Sequence, residues 1–111
     1  MSGLPASSSD AVLDALGNAT RRDMLQALGE RPRTVGELGE AFPISRPAVS
    51  KHLKVLETAG LVRHVSEGTR NIYELDLTGF EAARRWLDGF WDQALARFRL
   101  LAENSEPGGQ R

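Results

Sequence analysis

Between Ser45 and Lys54 the chain places Ser45, Arg46, Ser50, Lys51, His52 and Lys54, a dense set of hydrogen-bond donors and cations. That chemistry suits the phosphates and base edges of nucleic acid. Spacing sorts the set. Val49, Leu53, Leu56 and Ala59 recur at intervals of four, three and three residues and form the inward stripe of a helix, which leaves Arg46, Pro47, Ser50, Lys51 and Lys54 on the opposite side. Arg46 stands near the helix start, where its planar fork can span guanine O6 and N7, a contact worth about 1–3 kcal/mol of discrimination. Ser50 can donate to a base edge or a phosphate, whereas Lys51 and Lys54 suit phosphate as point charges. Ser45 has two roles open to it, a DNA contact or the helix N-cap, and the cap is the favoured one. His52 lies three residues after Val49 and four before Leu56, which turns it partly inward and predicts a structural, hydrogen-bonded side chain.

Other chemistries fit poorly. Ser50-Lys51-His52 offers a nucleophile and a base, but adjacent side chains on a helix diverge and no orienting acid is at hand, so catalytic-triad geometry fails. Gly36 and Gly39 have no strand before them and make no phosphate-binding loop. With no Cys and only two His, the chain lacks the three or four converging ligands of a tight transition-metal site. Asp88 and Asp92, spaced i, i+4, read as a solvated helix face. No enzyme activity, metal or cofactor is expected.

The elements that must hold the cationic face follow from local signals. Thr34 and Glu37 make a reciprocal capping box that opens a short helix, Phe42-Pro43-Ile44-Ser45 interrupts it, and a second helix runs to Gly60. Two short helices joined tightly form a helix-turn-helix. Two β-rich runs follow, Leu61–Val65 and Asn71–Leu75, joined by Ser66–Arg70 with Gly68 supplying a positive φ. That hairpin is a wing, carrying Arg63, His64, Thr69 and Arg70. Arg70, by the loop tip, is best placed to enter a minor groove or meet phosphate, and His64 has the alternative of a cross-strand partner. Upstream, a first helix is predicted over Asp10–Leu16 and a second from an Asn18 cap to Gly29, with Arg31-Pro32-Arg33 as connection. Arg21, Arg22 and Arg33 are either phosphate contacts or exposed charges near helix starts. The predicted class is mainly α (α+β): a winged helix-turn-helix of five helices, with a two-stranded β-hairpin wing between the recognition helix and the C-terminal helix.

The last helix is predicted from a Thr78 cap, answered by Glu81, to about Glu103. Phe80, Ala83, Leu87, Phe90, Ala94 and Leu101 form one apolar stripe, and Trp91, Leu95, Phe98 and Ala102 widen it beyond what one small core covers. One side is expected to pack on its own domain and the other on a partner helix, with Trp86, Phe90 and Trp91 as anchors.

Length and charge are compatible with this reading. A chain of 111 residues makes one domain that buries only about two-thirds of its unfolded surface, so a second subunit would help. The net charge of −1 comes from 14 basic and 15 acidic residues, yet residues 44–75 hold five Lys/Arg against three acids. Positive charge is thus concentrated in the candidate DNA-reading half. Met1–Ser8 and Ser105–Arg111 read as disordered tails around a domain at 9–104. The absence of cysteine fits a reducing cytosol, and neither a signal peptide nor a stretch of membrane-spanning length is evident.

Taken in order, Ala15-Leu-Gly-Asn-Ala-Thr-Arg-Arg22, Thr34-Val-Gly-Glu-Leu38, Ser45-Arg-Pro-Ala-Val-Ser-Lys-His-Leu-Lys-Val-Leu56, Ala59-Gly-Leu-Val62 and the strand from Gly68 to Leu75 resemble the ArsR/SmtB family of bacterial transcriptional repressors over roughly residues 10–100. The resemblance implies a homodimer whose fifth helix, with the first, forms the interface. On this chain that assigns Leu13, Leu16, Trp86, Leu87, Phe90, Trp91, Ala94, Leu95 and Phe98 to the dimer contact. It also assigns Ser45, Arg46, Pro47, Ser50, Lys51, Lys54, Arg63, Thr69 and Arg70 to a double-stranded DNA operator. The family's cysteine-bearing segment corresponds to Val35–Gly39, which has no thiol, and the last helix has no His, so the likeness is to the metal-ligand-free, often self-repressing branch. The implied protein is cytoplasmic and nucleoid-associated, and binds an inverted repeat. A winged-helix protein-protein interaction module is the alternative, which would carry aromatic or aliphatic anchors where residues 46–54 carry Arg, Ser and Lys. RNA binding would want exposed aromatics on that same face.

Overall fold

A computed structural model describes residues 7–104, with side chains from Ser9 onward. The tail expected at 105–111 lies outside the described residues, as do positions 1–6 of the N-terminal one; Ser7 and Ser8 belong instead to the first helix. The elements run α1 (Ser7–Leu16), α2 (Ala19–Glu30), β1 (Arg33–Thr34), α3 (Val35–Ala41), α4 (Arg46–Thr58), β2 (Val62–Glu67), β3 (Arg70–Leu75) and α5 (Leu77–Asn104).

Local signals set most boundaries. The Asn18 side chain accepts from the Arg21 amide at 3.0 Å, and Ser45 Oγ accepts from the Ala48 amide at 3.2 Å. Thr34 and Glu37 form the full capping box, with distances of 3.1 and 2.9 Å. At the end of α4, Gly60 takes φ +78° beyond the Ala59 C-cap, the Leu61 amide reaches the Leu56 carbonyl (2.9 Å) and the Gly60 amide the Glu57 carbonyl (3.0 Å). This is the Schellman pattern that stops a helix and turns the chain.

The core sits where α1, α2, α3 and α4 converge beneath the sheet. Val12, Ala15, Met24, Leu25, Leu28, Leu38 and Leu61 are buried there with the whole inward stripe of α4, Val49, Leu53, Leu56 and Ala59.

Four expectations are corrected. The sheet has three strands, ordered β1-β3-β2, because Arg33 and Thr34 pair antiparallel with Tyr73 and Ile72; the connection before α3 thereby ties the wing to the helix-turn-helix. The hairpin connection is tighter than five residues: pairing continues to Glu67↔Arg70, and Gly68 (φ +64°) and Thr69 alone make the turn. The cap of α5 is Asp76, whose carboxylate accepts from the Thr78 amide at 3.0 Å, which holds that carboxyl below the usual range. Thr78 is displaced from this role because the Asp76 amide is already engaged by the Leu61 carbonyl at 2.9 Å, which fixes where the strand ends. Finally, α5 packs on the rest of the chain only at its start, through Gly79, Phe80 and Ala83 and against α1. From Trp86 onward the large apolar side chains on both of its sides are exposed.

Candidate DNA-binding surface

Three elements converge at one edge of the molecule: the N-terminus of α3, the N-terminus of α4 and the tip of the wing. Between them lies a cleft of about 340 Å³ bordered by Thr34, Gly36, Arg46, Thr69, Arg70 and Asn71. Arg46 and Arg70 are 24 positions apart in the chain, yet both guanidinium-bearing side chains border this one cleft. Paired cations on a concave surface at the mouth of a recognition helix suit the backbone of a nucleic acid, with base edges within reach of the helix.

Arg46 owes its position to two glycines of α3. Gly36 and Gly39 sit three apart on α3, and a Cβ built on Gly36 would stand 3.3 Å from an Arg46 terminal nitrogen, one on Gly39 3.4 Å from Arg46 Cγ. The two bare α-carbons form a slot along which the arginine side chain lies. The signal was present, since a helix-interior glycine costs about 1 kcal/mol against alanine and calls for a packing reason. What it packed against was not readable.

Pro47, Ser50, Lys51 and Lys54 are exposed on the outward face of α4. Among the described residues, no carboxylate lies within ion-pair distance of Arg46, Lys51 or Lys54, so these three cations meet a ligand without first breaking a salt bridge. Ser45, also exposed, spends its hydroxyl on the cap. On the wing, Thr69 and Arg70 are exposed at the tip, where Arg70 keeps only a loose contact to Glu67 at 3.9 Å. Arg63 is different: its Nε donates to cross-strand Glu74 at 2.8 Å. A DNA contact by Arg63 would compete with that pair. The structure thus brings Arg46, Thr69 and Arg70 together, places Ser50, Lys51 and Lys54 along the same helix, and leaves Arg63 engaged at the wing's base.

Arg21, Arg22 and Arg33 are each engaged at a helix end. Arg21 Nε donates to the Ala15 carbonyl (2.8 Å) and its Nη2 to the Asp14 carbonyl (3.2 Å), while Arg22 reaches the Leu16 carbonyl (2.7 Å). Arg33 does the same for Ala27 (2.9 Å) and also pairs with Glu30 at 2.7 Å. Each supplies a cationic donor to carbonyls in the last turn of a helix.

Both histidines have partners. His64 Nδ1 lies 2.7 Å from the Glu57 carboxylate, and its ring stands opposite Tyr73 with centroids 5.2 Å apart, so the wing's edge strand β2 is fastened to the end of α4. His52 Nδ1 lies 3.4 Å from an Arg21 terminal nitrogen, and because guanidinium only donates, the ring nitrogen accepts. Burial, then the Arg21 and Lys51 charges, push the His52 pKa below its ordinary 6.5. Its stabilising contribution is therefore complete above about pH 6.5 and declines as pH falls below it, because the unfolded chain takes up the proton first. The thermal midpoint, followed from about pH 7.5 to pH 5, is expected to fall less in His52→Gln than in the unsubstituted chain.

A second surface lies along α5. Trp86, Phe90, Trp91, Leu95 and Phe98 on α5 are 44–69% exposed, and Leu13 on α1 is 37% exposed. The rings of Trp86 and Phe90 stack at 5.6 Å, and Trp91 meets Phe90 edge-on at 6.0 Å. Leu87 belongs to the same exposed face, Ala94 is half-buried, and Leu16 is turned partly into the protomer's own core. Among the described residues no helix is long and apolar enough to cross a membrane.

Comparison with known proteins places this architecture. A helix-turn-helix domain family matches residues 16–65. The HTH-type transcriptional regulator Rv2034 of Mycobacterium tuberculosis is 47% identical over 97 residues, which cover 87% of this chain and 91% of that protein. The transcriptional repressor SdpR of Bacillus subtilis is 32% identical over 79 residues, covering 71% and 88%. Among solved structures, an ArsR-like transcriptional regulator from Rhodococcus sp. RHA1 superposes with a TM-score of 0.80 at 27% identity, across 90% of this chain and 94% of the other.

Proposed function

The chain belongs to the ArsR/SmtB family of winged helix-turn-helix transcriptional regulators, and from that premise we propose that it is a homodimeric repressor that binds an inverted repeat in duplex DNA, including the promoter of its own gene. The observation that carries the DNA reading is the cleft that Arg46 and Arg70 share, beside an outward α4 face free of ion pairs. Arg46 enters the major groove and reads a guanine; Lys51 and Lys54 hold phosphates; Thr69 and Arg70 reach the neighbouring backbone or minor groove. Arg63 joins them at the wing when it leaves Glu74. Two protomers joined through α5 and Leu13 of α1 present two recognition helices, so the half-sites lie about one or two helical turns apart. The exposed aromatic face of α5 supports that assembly, since an apolar patch of this extent is an interaction surface or an aggregation liability.

Repression works by occlusion, needs no bond chemistry, and suits a cytoplasmic protein that resides on the nucleoid. Metal sensing is not part of the proposal, because the chain has no cysteine and both histidines are engaged, one with Arg21 and one with Glu57. A protein-interaction module is disfavoured by the same face of α4, which offers Arg, Ser and Lys rather than large apolar anchors.

Fluorescence anisotropy with the DNA upstream of its own gene, against a scrambled duplex and at two salt concentrations, tests the reading. Tight binding to the first, weak binding to the second and a steep loss with salt are expected. Absence of binding at low salt would return the choice to the interaction module. Within that assay Arg46→Ala and Lys54→Ala are expected to differ in kind. The first weakens the specific duplex by roughly 5–100-fold and the scramble far less, whereas the second weakens both alike and lowers the log–log salt slope by about 0.9.

A further inference from the structure

A second concavity, of about 420 Å³, opens on the recognition helix away from the Arg46 cleft, between α1 and α4. Its lining is mostly short side chains, Ala11 from α1 with Val55, Thr58 and Ala59 from α4, and Asp14, Lys51 and Lys54 complete it. Lys51 and Lys54 are three residues apart and so point the same way on α4, and Asp14 is the one carboxylate facing them. No ion pair within 4 Å involves either lysine or Asp14 among the described residues. The groove therefore combines an unfilled apolar trough with an excess of positive charge at one edge.

We infer that this groove binds a small amphipathic carboxylate, its apolar body on Ala11, Val55 and Thr58 and its anionic head on Lys51 and Lys54. The volume falls in the range of small-molecule sites, which are mostly apolar with a few fixed polar groups. Charge decides the class: a neutral apolar molecule leaves both lysines unused, and a cation meets them with repulsion. With 3.6 residues per turn Ala11 lies nearly opposite Leu13 on α1 and Asp14 to one side, so the proposed α1–α5 dimer contact leaves the Ala11 side of the groove open. On the DNA reading proposed above, the head group takes the same two lysines that hold phosphates. Carboxylate and operator then exclude each other, so each weakens the other's apparent binding in proportion to its own occupancy.

Calorimetric titration of sodium octanoate into the DNA-free protein, below micelle-forming concentrations and with 1-octanol as the uncharged counterpart, tests the site. Expected are one site per chain, at least about tenfold weaker binding of the alcohol, and loss of octanoate binding in Thr58→Phe, which fills the trough from an exposed position. Ala11→Leu provides an independent second filling. Absence of binding to the folded wild type at millimolar octanoate, equal affinity for alcohol and carboxylate, or unchanged binding in both filled variants overturns the proposal. In a parallel anisotropy titration octanoate is expected to release the operator from the wild type and not from Thr58→Phe; binding without release overturns the competition. Since calorimetry needs no DNA, failure of the groove and failure of the DNA reading are separately visible.

Discussion

Gly79→Ala is expected to destabilise the protein by about 3 kcal/mol and to lower its thermal midpoint by roughly 10–20 °C. The start of α5 rests backbone against backbone on the end of α4. The Gly79 amide donates to the Gly60 carbonyl at 2.8 Å, and a Cβ on Gly79 would stand 2.6 Å from the Ala59 carbonyl oxygen, 2.7 Å from that of Gly60 and 2.8 Å from the Gly60 carbonyl carbon. None of those atoms belongs to a flexible side chain that can swing aside. The added methyl must push α5 off its seat, which sacrifices the hydrogen bond and disturbs the buried contact of Ala83. Gly60→Ala offers an internal comparison. A Cβ there meets nothing closer than 3.5 Å, so its cost is confined to the positive φ of 78°, about 1–2 kcal/mol. Circular-dichroism melts of the two variants should rank Gly79→Ala well below Gly60→Ala, and the reverse order would refute the close backbone approach.

Trp91→Asp is expected to yield a monomer by sedimentation and to weaken operator binding by at least about 100-fold. Trp91 is 55% exposed in the protomer and makes its ring contact with Phe90 on the same helix, so its replacement leaves the core of α1–α4 untouched. At the proposed interface the same change removes a large ring and buries an unpaired carboxylate, each costly in a desolvated contact. A lone protomer meets only one half-site and loses the effective concentration that links the second recognition helix to the first, a factor of roughly 10²–10⁴. Far-ultraviolet circular dichroism should be retained. A variant that keeps both its sedimentation mass and its DNA affinity would remove α5 from the interface.

Much of the fold was legible because its signals are short. Thr34 with Glu37, Asn18 with Arg21 and Ser45 with Ala48 are satisfied three residues apart, so each cap depends on little beyond the local sequence. The inward stripe of α4 is fixed by helical periodicity alone, and Gly60 ends that helix because no side chain competes with its left-handed φ. Even here one local choice went the other way: Asp76 and Thr78 are both able caps, and the bond from the Asp76 amide to distant Leu61 decided between them.

Sequence by itself determined the helix-turn-helix, the hairpin and the division of α4 into a buried stripe and a cationic face, since each follows from residue type and a period of two to four positions. Only the tertiary structure decided that Arg21, Arg22 and Arg33 serve helix ends, that Arg33 and Thr34 add a third strand, and that Gly36 and Gly39 form the slot along which Arg46 lies. It also decided that Gly79 seats α5 on Gly60 and that Arg46 and Arg70 border one cleft. The physical reason is range. A guanidinium can serve a carbonyl, a carboxylate or a phosphate equally well, and a glycine admits any neighbour, so which partner each finds depends on which distant segment the packed core brings within a few ångströms.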